Sequence, residues 1–413
     1  MSKLYVYAFL IVTDQNPDPD RTVVSRKDWP LAQRVGHIEP FHVMALLARA
    51  RELEATGRSI IHMEIGEPDF MTPEPIRLAG AKAIERGDTF YTPATGLPAL
   101  RQAIAAFYKS RYGVEVATER IIVTPGASGA LLLATSVLVN PGDEVLLADP
   151  GYPANRHFVR LMDGVPVGIA VGPDSNYQLR RAHLEQHWGR RTAAALVATP
   201  SNPTGTLIPP DELQAMAAFA AGRGGALIVD EIYHGLVYED PAQTALQSRD
   251  DVFVINSFSK YFNMTGWRLG WLVAPERYVD AVDRIAQNVF LAAPTPSQFA
   301  ALAAFEPETL ALLDARRDEF RKRRDYLLPA LRDLGFAVAQ RPQGAFYIYA
   351  NCAAFTSDSF MFASDLLEEA GVAITPGIDF GVYAAAEHLR FAYTRPVEVL
   401  REGVDRIARF LRR

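Results

Sequence analysis

Between residues 120 and 273 the chain alternates short apolar runs with longer amphipathic stretches. The runs are Ile121–Thr124, Glu144–Ala148, Val165–Val171, Ala193–Thr199, Ala226–Val229, Val252–Ile255 and Leu269–Val273. They are short and mostly apolar, as expected of strands buried on both faces. Ala130–Val139 and Pro210–Ala221 read as intervening helices. The second has Asp211 and Glu212 in its first turn and Gly222 just past its end, which suits a helix dipole and a left-handed stop. The alternation predicts an α/β fold, with a mostly parallel seven-stranded sheet between layers of helices.

The flanks have a different rhythm. In Ile38–Gly57, Phe41, Met44, Leu47, Ala48 and Leu53 recur at helical spacing. Ile60–Ile65 reads as a strand that runs into Gly66-Glu67-Pro68-Asp69-Phe70, where glycine and proline stop regular structure. Helices are expected over Pro75–Arg86 and Leu97–Tyr112, around the aromatic loop Phe90–Gly96. Past Glu306–Leu334, a long charged helix, the pattern predicts a smaller α+β unit. Its strands are Phe336–Val338, Ala345–Tyr349 and His388–Tyr393, and its helices Ser359–Ala370 and Val397–Leu411. The expected division is an extension (1–30), an N-terminal segment packing with the smaller unit (31–62), a large unit (63–305) and a C-terminal small unit (306–413). The extension carries the apolar run Tyr5–Val12, but Thr13-Asp14-Gln15-Asn16-Pro17 follows it rather than a small-residue cleavage site.

Composition narrows the function. Hydrophobic residues make up 49% and charged residues 22% of the 413 positions, an ordinary globular balance. A formal charge of −6 argues against broad nucleic-acid binding, yet leaves room for a local basic pocket that takes a small anion. The single cysteine, Cys352, allows neither an intrachain disulfide nor a thiolate metal cluster, and no metal site is expected. No apolar run reaches membrane-span length, so a cytoplasmic protein without a membrane partner is expected.

In parallel sheets of this kind, ligands bind beyond the carboxyl ends of the strands. Gly126–Ser128, Tyr152, Asn202, Asp230, Tyr233 and Lys260 all follow a predicted strand. Gly126-Ala127-Ser128 leads into a helix, where free N–H groups and the dipole favour an anion; it is neither GxGxxG nor a Walker A loop. Lys260 sits in Ser257-Phe258-Ser259-Lys260, with Arg268 further on, among apolar and aromatic residues. Removing a lysine from water lowers its pKa and frees the amine as a nucleophile. Each residue also has a plainer reading: a surface lysine, a capping acid, a packing tyrosine, the turn Asn202-Pro203-Thr204-Gly205. Their shared address outweighs any one of these signals.

Taken in order, Gly66-Glu67-Pro68-Asp69-Phe70, Tyr91 with Gly96, Gly126-Ala127-Ser128, Asn202-Pro203-Thr204-Gly205, Asp230-Glu231-Ile232-Tyr233, Ser257-Phe258-Ser259-Lys260 and Arg390 resemble a class I aminotransferase of fold type I over residues 31–413. These enzymes use pyridoxal 5′-phosphate (PLP). The resemblance implies that Lys260 carries the cofactor covalently and later moves the substrate Cα proton. It implies that Asp230 faces the pyridine nitrogen, that Asn202 and Tyr233 bond the phenolic oxygen, and that Tyr152 stacks on the ring. Ala127, Ser128, Ser257 and Arg268 would hold the phosphate, joined by Tyr91 from a neighbouring subunit, which implies a homodimer with shared sites. Arg390 would grip the substrate carboxylate, with Asn202 and the backbone of Gly66 beside it. The implied substrates are an L-amino acid and a 2-oxo acid, in a ping-pong reaction. Ser128 stands where relatives that take acidic substrates can carry a lysine, which lowers the expectation of aspartate. Two alternatives remain at this point. One is a carbon–sulfur β-lyase or decarboxylase on the same scaffold. The other is a non-catalytic PLP-binding regulator, disfavoured by retention of Lys260 and Asp230 and by the lack of room for a DNA-binding domain.

Overall fold

A computed structural model describes residues 31–239 and 241–412. The expected extension over 1–30 lies outside them. The described chain opens with α1 (His42–Ala55), the two-residue strand β1 (Ile61–His62), α2 (Glu74–Glu85) and α3 (Pro98–Tyr112). An α/β stretch follows: β2 (Ile121–Thr124), α4 (Gly126–Leu138), β3 (Glu144–Asp149), α5 (Pro153–Leu161), β4 (Val165–Ala170), α6 (Arg181–His187), β5 (Thr192–Ala198), α7 (Pro210–Gly222), β6 (Ala226–Asp230), β7 (Phe253–Ser257) and β8 (Gly270–Val273). After α8 (Val279–Val289), α9 (Thr295–Leu302) and the long α10 (Pro307–Asp333) come β9 (Tyr347–Asn351), α11 (Ser359–Asp365), β10 (Val372–Ala373), β11 (Thr375–Pro376), β12 (His388–Ala392) and α12 (Val397–Leu411).

The large sheet has seven strands in the order β2-β8-β7-β6-β5-β3-β4. Only β8 runs antiparallel to its neighbours. Strands β2, β6, β7 and β8 are buried throughout, which is why their sequences are continuous apolar runs rather than alternating ones. Successive residues still part to opposite faces. Ile121 and Val123 join one core and Ile122 the other; Val229 and Val254 face away from Ile228, Phe253 and Ile255. Edge strand β4 is the exception, with only Ile169 buried.

The smaller sheet is antiparallel, in the order β11-β12-β9. Strand β1 pairs in parallel with β10, which ties the segment before Gly66 to the C-terminal part of the chain. Strand β1 is far shorter than the six residues expected. No strand forms over Phe336–Val338: Ala337 makes a single bridge to Asn351, and Phe336 is committed to an aromatic cluster with Phe355, Phe362 and Phe391. The helix expected over Ser359–Ala370 widens into a π turn at Leu366–Ala370. Helices α5, α6, α8 and α9 go beyond the periodic pattern, although Pro153 and Pro296 stand in helix-starting positions. One boundary bears on the site. Helix α4 begins at Gly126, four residues before the Ala130 expected, so the small-residue loop is the first turn of the helix.

Candidate active site

The carboxyl ends of β2, β6 and β7 converge on a cavity of about 300 Å³. Its floor is the start of α4. Gly126 has φ of +70°, a conformation that favours glycine, and its carbonyl accepts a 2.8 Å hydrogen bond from Thr124 Oγ1. The amides of Ala127 and Ser128 follow in the first turn, where helical N–H groups have no intrahelical acceptor. Strand β8 lies tightly against this turn: a Cβ on Gly270 would meet the Gly126 carbonyl carbon at 2.7 Å and the Ala127 nitrogen at 2.8 Å. Just before β8, Arg268 takes a left-handed conformation with φ of 52°. Its guanidinium reaches the helix start, so a Cβ on Gly126 would sit 2.6 Å from Arg268 Nη2. Helix dipole, free amides and guanidinium together make an anion cradle.

Lys260 follows β7 and points across the cavity, where Nζ donates a 2.6 Å hydrogen bond to the Gly66 carbonyl. Burial lowers its pKa to about 8; Glu67 and Asp230 oppose that shift, while Arg390 and Arg268 add to it. Asp230 ends β6. Burial pushes its carboxyl up to about 6, against the Ile232 amide, which donates to Oδ1 at 3.0 Å, and the charge of Lys260. The adjacent Glu231 has a different role: it accepts from Thr244 Oγ1 and the Ala245 amide and so anchors a loop behind the site.

Arg390 stands on β12 and is 5% exposed. Nη1 donates to Asn202 Oδ1 at 2.9 Å, and Nη2 donates to the Glu64 carbonyl and, at 3.1 Å, to Thr375 Oγ1. The rings of Tyr347 and Phe380 lie 4.3 and 4.9 Å from the guanidinium carbon. Arg390 Nε is buried and has no acceptor. Such a group normally has a partner, so the geometry suits a carboxylate arriving at this point.

Most residues singled out from the sequence line this one cavity: Gly66, Ala127, Ser128, Tyr152, Asn202, Asp230, Tyr233, Lys260, Arg268 and Arg390. Two do not. Ser257 is buried behind the wall, where its hydroxyl donates to the Leu269 carbonyl and bonds Ser259 Oγ at 2.9 Å. The hydroxyl that lines the cavity is that of Ser259. The Ser-x-Ser spacing, which puts two hydroxyls on one side of an extended chain, already held that signal. Tyr91 is 81% exposed on the outer surface and does not reach the cavity of its own chain.

Other lining residues carried no sequence signal of their own. Tyr347 bonds Tyr233 through their hydroxyls at 2.9 Å, and its oxygen packs so closely on Gly66 that a Cβ there would lie 2.0 Å away. Asp379 accepts the His42 and Val43 amides at 2.7 and 2.8 Å and so fixes the start of α1. That places Val43, Met44 and Leu47 on the cavity wall. Among the described residues, no group of three or more His, Cys, Asp or Glu side chains is arranged to hold a metal, and no helix is long and apolar enough to cross a membrane.

Fold and cavity thus define an α/β enzyme with an anion cradle at one end, a lysine of lowered pKa in the middle and an arginine clamp at the other. Comparison with known proteins gives this class its family. The family model described as "Aminotransferase class I and II" matches residues 58–407. The chain is 40% identical to the valine–pyruvate aminotransferase of Mycobacterium tuberculosis, covering 92% of this chain and 98% of that one. It is 38% identical to the (5-formylfuran-3-yl)methyl phosphate transaminase of Methanocaldococcus jannaschii, covering 92% and 99%. The crystal structure of an aminotransferase from Mycobacterium tuberculosis superposes with a TM-score of 0.90 at 40% identity, covering 93% and 99%. The chain belongs to the aminotransferase class I and II family, has its fold type I architecture and is an aminotransferase.

Proposed function

We propose that this aminotransferase binds PLP in the cavity described and moves the amino group of an L-amino acid to a 2-oxo acid in two half-reactions at one site. Two features fit the cofactor. A cradle that any side chain on Gly126 would obstruct suits its phosphate, and a buried amine of lowered pKa suits its aldehyde. Bound PLP supplies a ring that takes up the electron pair freed at the substrate Cα.

The chain's own groups do the rest. The amides of Ala127 and Ser128, the hydroxyls of Ser128 and Ser259 and the guanidinium of Arg268 hold the phosphate; Ser257 acts through Ser259. Tyr152 covers the ring, and Asn202 and Tyr233 bond its phenolic oxygen. Asp230 keeps a proton on the pyridine nitrogen, which its ionised form does best. Lys260 anchors the cofactor, and its amine, once released by the donor, takes the Cα proton. Arg390 clamps the α-carboxylate, with Asn202 and the Gly66 backbone alongside, and so fixes which Cα bond stands ready to break. The unpartnered Arg390 Nε is the observation that carries this orientation.

We read the enzyme as a cytoplasmic homodimer. The neighbouring aromatics Phe90 and Tyr91 are 83% and 81% exposed on one loop, which supports a partner subunit covering them. The test of function is isotopic. PLP-loaded protein is mixed with a ¹⁵N-labelled amino acid, freed of donor, then given an unlabelled 2-oxo acid. The expected result is one labelled amino group delivered per site. Release of ammonia or CO₂ in place of that transfer would point instead to lyase or decarboxylase chemistry.

A further inference from the structure

One short segment ties the clamp to the large sheet. Residues 379–383 lie between β11 and β12 of the smaller sheet, yet their bonds run to the end of β3 and to α5. Asp149 is the last residue of β3. Its carboxylate accepts the Val382 amide at 3.1 and 3.0 Å, across 233 residues, and Oδ1 also accepts the Tyr383 amide at 3.3 Å. The Gly151 amide donates to the Phe380 carbonyl at 2.8 Å, and Arg156 Nη2 donates to the Asp379 carbonyl at 2.9 Å. A Cβ on Gly381 would stand 1.7 Å from Asp149 Oδ1, so any side chain there would push the carboxylate away.

Side-chain packing does not hold the middle of this segment. Val382 is 84% exposed, whereas Asp149 is 8% exposed, so a buried carboxylate fixes an exposed stretch through its amides. Two side chains carry that position into the active site. Phe380 sets its ring 4.9 Å from the guanidinium carbon of Arg390, and Asp379 holds the first amides of α1. On the other side, Tyr152 follows Asp149 by three residues and lines the cavity. Asp149 itself does not line that cavity. It stands between the tyrosine that covers the cofactor ring, in the reading above, and the segment that braces the clamp.

We infer that Asp149 is a positioning residue for the substrate α-carboxylate: it holds residues 379–383 so that Phe380 keeps the Arg390 guanidinium in place. The inference rests on the transaminase reading of the site. A loosened segment leaves the cradle and Lys260 intact and costs only what the clamp contributes.

The test compares amino acids with the amines that lack their α-carboxylate: alanine with ethylamine, leucine with 3-methylbutylamine, glutamate with 4-aminobutanoate. Each is mixed with PLP-loaded protein, and the absorbance of the bound cofactor reports the second-order rate. In every pair the parent converts, Asp149→Ala lowers the preference for the amino acid over its amine by about 10-fold. Rates with the amines and PLP affinity stay within about 2-fold of the parent. Asp149→Asn, which keeps one oxygen for the amides, restores the preference to within about 3-fold. Gly381→Ala gives the same loss from the other side of the contact, and decides the matter if Asp149→Ala does not fold. The double variant is no worse than either single one, since both break the same contact. An unchanged preference, additive losses in the double variant, or equal losses for amines and PLP would overturn the inference while leaving transamination intact. If no amino acid alters the loaded parent protein, the transaminase reading itself falls.

Discussion

The two ends of the cavity are built in contrasting ways. The cradle end comes from adjoining strand ends of one sheet: Gly126–Ser128 after β2, Asp230 on β6, Ser259 and Lys260 after β7, and Arg268 before β8. Three hydroxyls there, those of Thr124, Ser257 and Ser259, are bonded within the protein. The clamp end joins segments far apart in the chain. The His42 amide bonds Asp379 across 337 residues, and Arg390 bonds the Glu64 carbonyl across 326. Two of the described buried side-chain atoms without a partner, Arg390 Nε and Glu64 Oε2, lie here. The cradle holds its free donors, the first amides of α4, within one sheet-and-helix junction, and the clamp holds its free donor, Arg390 Nε, between distant segments. A permanent cofactor suits a cradle made by one rigid sheet, while substrates that come and go suit a clamp assembled from distant segments.

Such a division of labour predicts separable failures. The largest is Lys260→Ala, which removes the group joining both ends: transamination falls by about 10³-fold or more, while PLP is still retained through its phosphate. Equilibrium dialysis alongside an activity assay checks both halves of that statement. Arg390→Gln cuts kcat/KM by about 100-fold for every amino acid and leaves PLP affinity within about 2-fold of the parent, since only the clamp end is touched. An equal loss of PLP affinity would dissolve the distinction between the ends. Gly126→Ala does the reverse. Strain at a φ of +70° and the contact with Arg268 weaken PLP binding by about 10-fold, with KM for amino acids little changed once the cofactor is saturating.

The smallest effect is a pH dependence with two limbs. Lys260 has its pKa lowered to about 8, so the neutral amine that captures PLP accumulates as pH rises through that value rather than through 10.5. The capture rate climbs below about pH 8 and levels off above it, measurable by stopped-flow absorbance. Asp230 is raised to about 6 by burial, so its carboxylate form is lost as pH falls through that value. Uptake of PLP by the free protein, which the ionised carboxylate favours, therefore weakens below about pH 6, and Asp230→Asn removes that limb.

The same contrast explains what can be read from the chain alone. The cradle end is legible because each element there is local: an apolar run, then a polar residue at the strand end, as in Ala226–Val229 followed by Asp230. Its details are less so. Small residues with weak helix propensity hide the start of α4 at Gly126, and the deeper Ser257 draws attention from Ser259. At the clamp end, Asn202 is marked by its place after a predicted strand and Arg390 by resemblance to a family, while Tyr347, Thr375, Asp379 and the face of α1 are not found at all. Periodicity marks the helix, but no local signal says that Val43 and Leu47 meet a cavity closed by Asp379. That depends on packing between segments more than 300 residues apart. The strand expected at Phe336–Val338 fails for a related reason: a short apolar run serves an aromatic core as readily as a sheet.

If the two ends work as described, one buried lysine holds the cofactor between cradle and clamp. Borohydride reduction of the PLP-loaded protein, followed by peptide mapping, tests this most directly. The prediction is a single stable pyridoxyl label, on Lys260, with none formed in Lys260→Ala. A label on any other lysine, or an unlabelled Lys260 in protein that has taken up PLP, would contradict it.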